Sequence, residues 1–178
     1  METEKITLGS GYLYIIEFSG TIPTNDEIEV EENLAGYIQG GCAIEYKPEY
    51  YTAEDDLGLV TKTIITKEEA LLKSGIMTWN GNTLEKMSPT ARVTEAGGKR
   101  TVKIGGKGND NGKSYLIHFH HEDPADGDVR LTIVGKNQAG FTLTFAKDKE
   151  TIIDAEFKAE PHDKEGTLII YEEDMPAA

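Results

Sequence analysis

A single extended ribbon, residues 36–79, constrains this chain most, because it holds more strand-forming sequence than a domain of 178 residues can bury. Its first arm, residues 40–51, alternates apolar and charged side chains with the period of two typical of a strand with one wet face. Its return arm, residues 59–65, is rich in β-branched residues. Such a hairpin cannot bury both its sides against its own domain, so we predict that it projects and reaches a neighbouring subunit.

The connection between the two arms is acidic and shows no tight-turn signature. We therefore predict a projecting loop over residues 52–59 that is mobile in a free subunit and ordered by a neighbour. The residues predicted to make this contact are Thr52, Ala53, Glu54, Asp55, Asp56, Leu57 and Gly58.

The end of the ribbon is ambiguous between helix and strand. Residues 66–69 read as a capping box and residues 70–72 favour a helix, whereas Ser74 and Gly75 would interrupt one. We predict a strand over residues 68–79. A short helix is expected next, over residues 82–88, capped by Asn80 or Asn82 and stopped by Pro89.

The rest of the chain predicts a strand meander around one core. We expect a mainly antiparallel β-sandwich or barrel-like domain of about eight or more strands, with one short helix and the projecting hairpin. An arm over residues 1–11 and a frayed tail over residues 173–178 would flank this single domain. Strands are predicted at residues 91–95, 100–104, 114–121, 129–134, 141–145, 152–159 and 167–171. The structural core should include Trp79, Phe141, Phe145 and Phe157.

Composition excludes several classes of protein. The sequence has no apolar run long enough for a transmembrane helix, and its first residues lack the apolar core of a signal peptide. One cysteine, Cys42, excludes an intrachain disulfide and a cysteine-based zinc site, and we expect it to pack as a small apolar residue. A net charge of −14 opposes nucleic-acid binding through phosphate contacts and on its own indicates solubility.

Three motifs resemble functional sites but depart from the required patterns. Residues 105–114 resemble a phosphate-binding loop, but Lys107 stands where the first glycine is needed. His118 and His120 share one face of a strand, and without further ligands nearby we expect that face to be exposed or to meet another subunit. Residues 123–128 are acidic, yet their spacing fails the calcium-loop pattern. We therefore predict no enzyme activity, no metal and no cofactor.

Five segments, taken in order, resemble the tail tube proteins (major tail proteins) of long-tailed phages and prophages of Gram-positive bacteria. They are residues 11–14, 40–46, 75–80, 140–145 and 159–168, and together they span nearly the whole chain. The resemblance implies a virion structural protein made in the host cytoplasm, six copies of which form a ring. Rings would stack around a tape-measure protein into a hollow tube that conducts DNA without sequence-specific binding. Tail terminator and distal tail proteins would be further partners, and no membrane is implied.

Two alternatives remain at this point. The inner tube of a contractile tail or tailocin would use the same fold. From another class, an acidic β-sandwich module could bind carbohydrate or cell wall, with Trp79 and Tyr50 or Tyr51 as a stacking platform.

In the tube, six times the subunit charge of −14 gives about 84 negative charges, and a share facing the channel would repel DNA. The candidate lumen-facing residues are Glu45, Glu49, Asp154 and Glu156. Because only one sheet of a sandwich can face inward, we expect at most part of this set to line the channel.

Overall fold

The computed structural model describes residues 6–175 and confirms a mainly β, antiparallel fold. Within that range there are ten strands and two short α-helices. The helices are α1 (Asn25–Ile28) and α2 (Gly81–Met87). The strands are β1 (Tyr12–Glu17), β2 (Leu34–Gly36), β3 (Ile38–Glu54), β4 (Thr61–Ile76), β5 (Arg92–Ala96), β6 (Lys99–Lys103), β7 (Tyr115–His121), β8 (Val129–Asn137), β9 (Ile153–Ala159) and β10 (Ile170–Glu173).

Eight of these strands form one sheet, in the order β2-β1-β7-β8-β9-β4-β3, with β10 paired to the free part of β8. Strands β5 and β6 form a separate two-stranded hairpin. β3, with 17 residues, is the outermost strand on one side, whereas β2, with three residues, is outermost on the other. The sheet therefore presents one long edge and one very short one.

One face of the sheet carries the main core. In β9 the residues Ile153, Ala155, Phe157 and Ala159 are buried and those between them are not, as the alternating pattern predicts. The same cluster includes side chains from β1 and β4, such as Leu13 and Leu72. Strands distant in the sheet thus share one core, which fits a strongly twisted, barrel-like sheet.

The opposite face is divided into two halves. Over β1, β7 and β8 it is covered by residues 19–33, whose Ile28 packs with Tyr14 and Leu116. Every residue of β7 is consequently buried. Over β3, β4 and β9 the same face is left to solvent, and charged side chains occupy it.

The two predicted features at the end of the ribbon are confirmed in type. β4 runs as one strand through the ambiguous segment, although it ends at Ile76 rather than at residue 79. α2 begins after Asn80, whose side chain accepts a hydrogen bond from the Asn82 N–H at 2.8 Å.

A second helix, α1, is an addition to the single helix that we predicted. The Thr24 N–H donates to the Glu27 carboxylate at 2.9 Å, which is half of a capping box. Asp26 and Glu27 lie in the first turn of α1, where acidic side chains are favourable because they face the positive end of the helix dipole.

The predicted strand over residues 141–145 is wrong. The segment keeps its alternation, since Phe141 and Leu143 pack on the core and Thr142 and Thr144 are exposed. It has no strand partner, because β8 and β9 each already pair with a strand on both sides. The sequence therefore predicted the alternating burial of this segment correctly, but not its main-chain pairing.

The chain ends are only partly covered by the described range. Residues 1–5 of the predicted arm and residues 176–178 of the predicted tail lie outside it. Residues 6–11 precede β1, with Ile6 and Leu8 exposed. Glu173 belongs to β10, and the Asp174 N–H donates to the Asp128 carbonyl at 2.9 Å, so the pairing extends beyond the predicted start of the tail.

Candidate assembly surface

The β3–β4 hairpin is the feature that a compact domain does not explain. The two strands pair from Ile38 opposite Ile76 to Glu54 opposite Thr61. Near the domain, β4 buries Ala70, Leu72, Ser74 and Ile76. From residue 49 to residue 68 every residue is exposed. At about 3.3 Å per residue, the free part extends roughly 20 Å beyond the domain.

Two irregularities shape the hairpin. At its base, Gly40 and Gly41 interrupt the register, with φ of 82° and 76°, which side chains with a Cβ rarely adopt. Farther out, the register shifts between Glu49 and Tyr50, and the Thr66 hydroxyl donates to the Glu49 carbonyl at 3.2 Å. Bulges of this kind increase the local twist and bend the ribbon. The free half of the hairpin therefore begins at a defined bulge.

The tip of the hairpin is a closed turn, which corrects our prediction that it lacks turn chemistry. The Asp55 carboxylate accepts hydrogen bonds from the Val60 N–H at 2.7 Å and from the Leu57 N–H at 3.3 Å. The Gly58 N–H donates to the Asp55 carbonyl at 2.9 Å, and Gly58 has a φ of +67°. The backbone hydrogen bond from Val60 is the main reason that the pKa of Asp55 is lowered. Asp at the first and Gly at the fourth turn position was the overlooked signal.

Beyond the bulge, both faces of the hairpin carry apolar side chains. Tyr50 lies opposite Ile65 on one face, and Tyr51 lies opposite Ile64 on the other. All four are at least half exposed. At the tip Leu57, Leu59 and Val60 are exposed as well, Leu57 to 78%. Exposed apolar residues on both sides of one protruding ribbon are a typical feature of interaction surfaces.

The four candidate lumen residues share one sheet face. Lys73 of β4 lies opposite Glu156 on β9 and opposite Ala43 on β3, so Glu45, Glu49 and Asp154 follow on the same side. This surface, here called the charged face, lies on the side of β3, β4 and β9 away from the core. Its charged residues are Glu45, Lys47, Glu49, Lys67, Glu69, Lys73, Asp154, Glu156 and Lys158.

The charged face is not strongly negative, because its four lysines almost balance its five carboxylates. Each lysine also lies close to a carboxylate. Lys73 lies 3.4 Å from Glu45 and 3.5 Å from Glu156. The other three lysines each lie within 3.6 Å of a carboxylate. Five carboxylates and four ammonium groups leave a net charge of −1. Hydrogen bonds from Lys47 and then Lys73 hold the pKa of Glu45 below its ordinary value.

The structure separates the four predicted core aromatics. Phe157 is fully buried, as predicted, and Phe141 is partly buried against the core. Trp79 is also partly buried, and its indole N–H donates to the Thr151 carbonyl at 3.0 Å. Phe145 is 77% exposed, so its assignment to the core is wrong. Its ring leans against Trp79, 6.4 Å away between centroids, because the alternating segment runs past the end of the core.

The proposed stacking platform for a carbohydrate does not form. Tyr50 and Tyr51 are consecutive strand residues, so their rings point to opposite faces of the hairpin. Tyr50 pairs with Ile65, eleven residues along β4 from its end near Trp79, a separation of roughly 35 Å.

The burial of β7, which carries His118 and His120, differs from our prediction. His118 and His120 are buried within their own chain rather than exposed or directed at another subunit. Both contact Glu29, which belongs to the covering segment and lies 89 positions from His118. Sequence alternation cannot indicate such a cover. Across residues 6–175, no cluster of His, Cys, Asp or Glu has an arrangement suited to a metal ion.

Cys42 packs against the core at the base of the hairpin, as predicted. Burial raises the pKa of its thiol to about 12, so it is protonated at neutral pH.

The sequence matches no family model, and no curated protein matches it. Within the described part of the chain, no helix is long and apolar enough to cross a membrane.

Proposed function

We propose that this protein is the structural subunit of a phage tail tube, in which six copies form a ring and rings stack into a hollow tube for DNA. The observation that carries the proposal is the free half of the β3–β4 hairpin, which is exposed throughout residues 49–68 and carries apolar side chains on both faces. The order of the five family-like segments supports the same assignment.

The edges of the sheet suggest where copies meet. β3 is the longest unpaired edge among the described strands, and a barrel closed across six subunits would remove such edges. Pro48, which has no N–H to donate, and the Gly40–Gly41 bulge blunt its inner part. Pairing between copies is therefore best accommodated beyond Pro48, along residues 49–54.

At the opposite edge of the sheet, the outer side of β1 is already covered by β2 and by Lys86. β2 pairs with Leu13 and Tyr14 of β1, and the Lys86 ammonium donates to the next carbonyl, that of Ile15, at 2.8 Å. The two sides of the subunit thus differ, which favours a head-to-tail contact over a symmetric one. Repeated head-to-tail contacts produce rings or filaments.

The charged face suits a channel wall in a different way from the one we expected. Its alternating, paired charges leave few free ammonium groups to hold DNA phosphates. With a net charge close to zero, the charged face would neither attract DNA phosphates nor repel them strongly, and DNA could pass along it. A tube of a contractile tail or tailocin would have the same requirements, so this alternative remains within the proposal.

Electron microscopy and sedimentation of a tip variant test the proposal. Leu57→Ser with Leu59→Ser removes two exposed apolar side chains and should leave the fold intact while abolishing rings and tubes. Ile104→Ser is the control, since Ile104 is 44% exposed outside the hairpin and its replacement should not affect assembly. Wild-type protein that stays monomeric at all concentrations, or a tip variant that still forms tubes, would contradict the proposal.

A further inference from the structure

Segments far apart in sequence meet at one partly buried carboxylate, that of Glu29. Its Oε1 accepts hydrogen bonds from Arg130 Nε at 2.6 Å and from His118 Nε2 at 2.9 Å. Its Oε2 lies 3.1 Å from His120 Nδ1. Glu29 follows α1 in the covering segment, residues 19–33, whereas its partners lie on β7 and β8. This carboxylate therefore fastens the covering segment to the sheet.

The same cluster also holds the C-terminal strand. Arg130 extends from Glu29 to Asp128 at 3.3 Å and to Asp174, just after β10, at 3.4 Å. The Asn25 side chain donates to Glu172 of β10 at 3.2 Å, which joins α1 directly to that strand. Loss of the Glu29 contacts would thus loosen both the covering segment and β10.

The protonation state of His118 follows from its contacts. His118 is fully buried, with Nε2 facing the Glu29 carboxylate and Nδ1 lying 2.8 Å from the Thr132 hydroxyl. A neutral ring satisfies both partners, because it donates from Nε2 and accepts at Nδ1. The two ring nitrogens of His120 face the carboxylates of Glu29 and Asp128, at 3.1 and 2.8 Å.

An apolar patch lies beneath the segment that this cluster holds. Tyr14 and Leu116 of the sheet contact Ile28, with Ile16, Ile22 and Leu34 around them. Lifting residues 19–33 would expose Tyr14 and Leu116 on a face that is otherwise covered.

We propose that Glu29, His118, His120, Asp128, Arg130 and Asp174 form an acid-released clasp. Opening the clasp frees residues 19–33 and β10 from the sheet and exposes Tyr14 and Leu116, while the main core on the other face stays packed.

The sign of the pH effect is set by His118 and Glu29. Burial lowers the pKa of His118 below 6.5, so the open state takes up a proton more readily, and closure weakens as pH falls below that value. Burial would raise the pKa of Glu29, but hydrogen bonds from Arg130 and His118 hold it below 4.5. Closure therefore weakens further as pH falls below 4.5.

The other charged groups around His118 do not reverse this sign. Arg130 is cationic throughout, and its hydrogen bond to Glu29 raises its pKa further. A hydrogen bond from His120 lowers the pKa of Asp128. Tyr14, whose ring lies 6.1 Å from His118, has its pKa raised by burial and stays neutral.

Hydrogen exchange read by mass spectrometry tests the clasp on the full chain, at a concentration where it sediments as a single subunit. Rates at about pH 7 and about pH 5, each divided by the intrinsic rate, give opening constants for residues 19–33, for β10 and for β7. One extra proton bound by the open state increases opening about tenfold per pH unit. We expect the opening constants of residues 19–33 and β10 to increase by up to about tenfold per pH unit as the pH falls. The amides of β7 should stay protected from exchange, because the domain as a whole does not unfold.

Three variants separate the roles. Glu29→Gln should open the segment already at about pH 7. His118→Gln, neutral at every pH, should flatten the response between about pH 7 and pH 5. Glu31→Gln, an exposed carboxylate in the same segment, should behave as wild type.

Wild-type exchange that is independent of pH would overturn the clasp, as would loss of β7 protection together with the segment. An equal response in the His118→Gln variant would overturn it too. None of these outcomes bears on tube assembly, which the tip variant tests separately.

Discussion

At the scale of residues, what a side chain contributes depends on where its strand meets the core. Phe157 lies in a paired strand over the middle of the core and is fully buried, whereas Phe145 ends an unpaired segment and is 77% exposed. Trp79 lies between these extremes, half-buried with its N–H bonded to the Thr151 carbonyl. Hydrophobic type and alternation are alike at these sites, so only the surrounding structure separates them.

We expect Phe157→Ala to lower the free energy of unfolding by about 3–5 kcal/mol, because it leaves a cavity in the core. Phe145→Ala should cost less than about 1 kcal/mol, since most of the ring is already in water. Urea denaturation of both variants measures the contrast. Comparable losses at the two positions would mean that Phe145 is buried after all.

At the scale of elements, the sequence predicts best where one face alone decides burial. β9 and α2 were recognised because alternation or capping residues specify them locally. In β4 the local signals were ambiguous, and the pairing with β3 and β9 decides for a strand. β7 was placed half in solvent because its cover, residues 19–33, comes from a distant part of the chain. The hairpin could be predicted to project from its length, and its turn could have been predicted from Asp55 and Gly58. The paired charges at Lys73 could not be predicted, because they depend on the register of three strands.

The hairpin is also the element whose removal should matter least to the fold. Replacing residues 50–66 by Asn-Gly would join Glu49 to Lys67, which are directly paired, through a two-residue turn. Since the removed residues are exposed, the free energy of unfolding should change by less than about 1 kcal/mol, while assembly is lost. Urea denaturation and sedimentation check the two halves of this prediction. A shortened chain that fails to fold would show that the hairpin supports its own domain.

At the scale of the whole molecule, the net charge of −14 is not concentrated on the charged face, which carries only −1. Most of the charge therefore lies elsewhere on the surface, whereas exposed apolar side chains are concentrated on the hairpin. Under the proposed function, the dispersed charge would keep free subunits soluble and the hairpin would join them.

The most direct test compares hydrogen exchange at residues 49–68 in the free subunit and in the assembled particle. A two-stranded ribbon without a third partner is marginally stable, so its amides should exchange quickly in the free subunit. Burial against neighbouring copies should slow them by at least about tenfold, a gain of about 1.4 kcal/mol in opening free energy, with β7 unchanged. Equal exchange of the hairpin in both states would contradict the claim that it is the element through which subunits assemble.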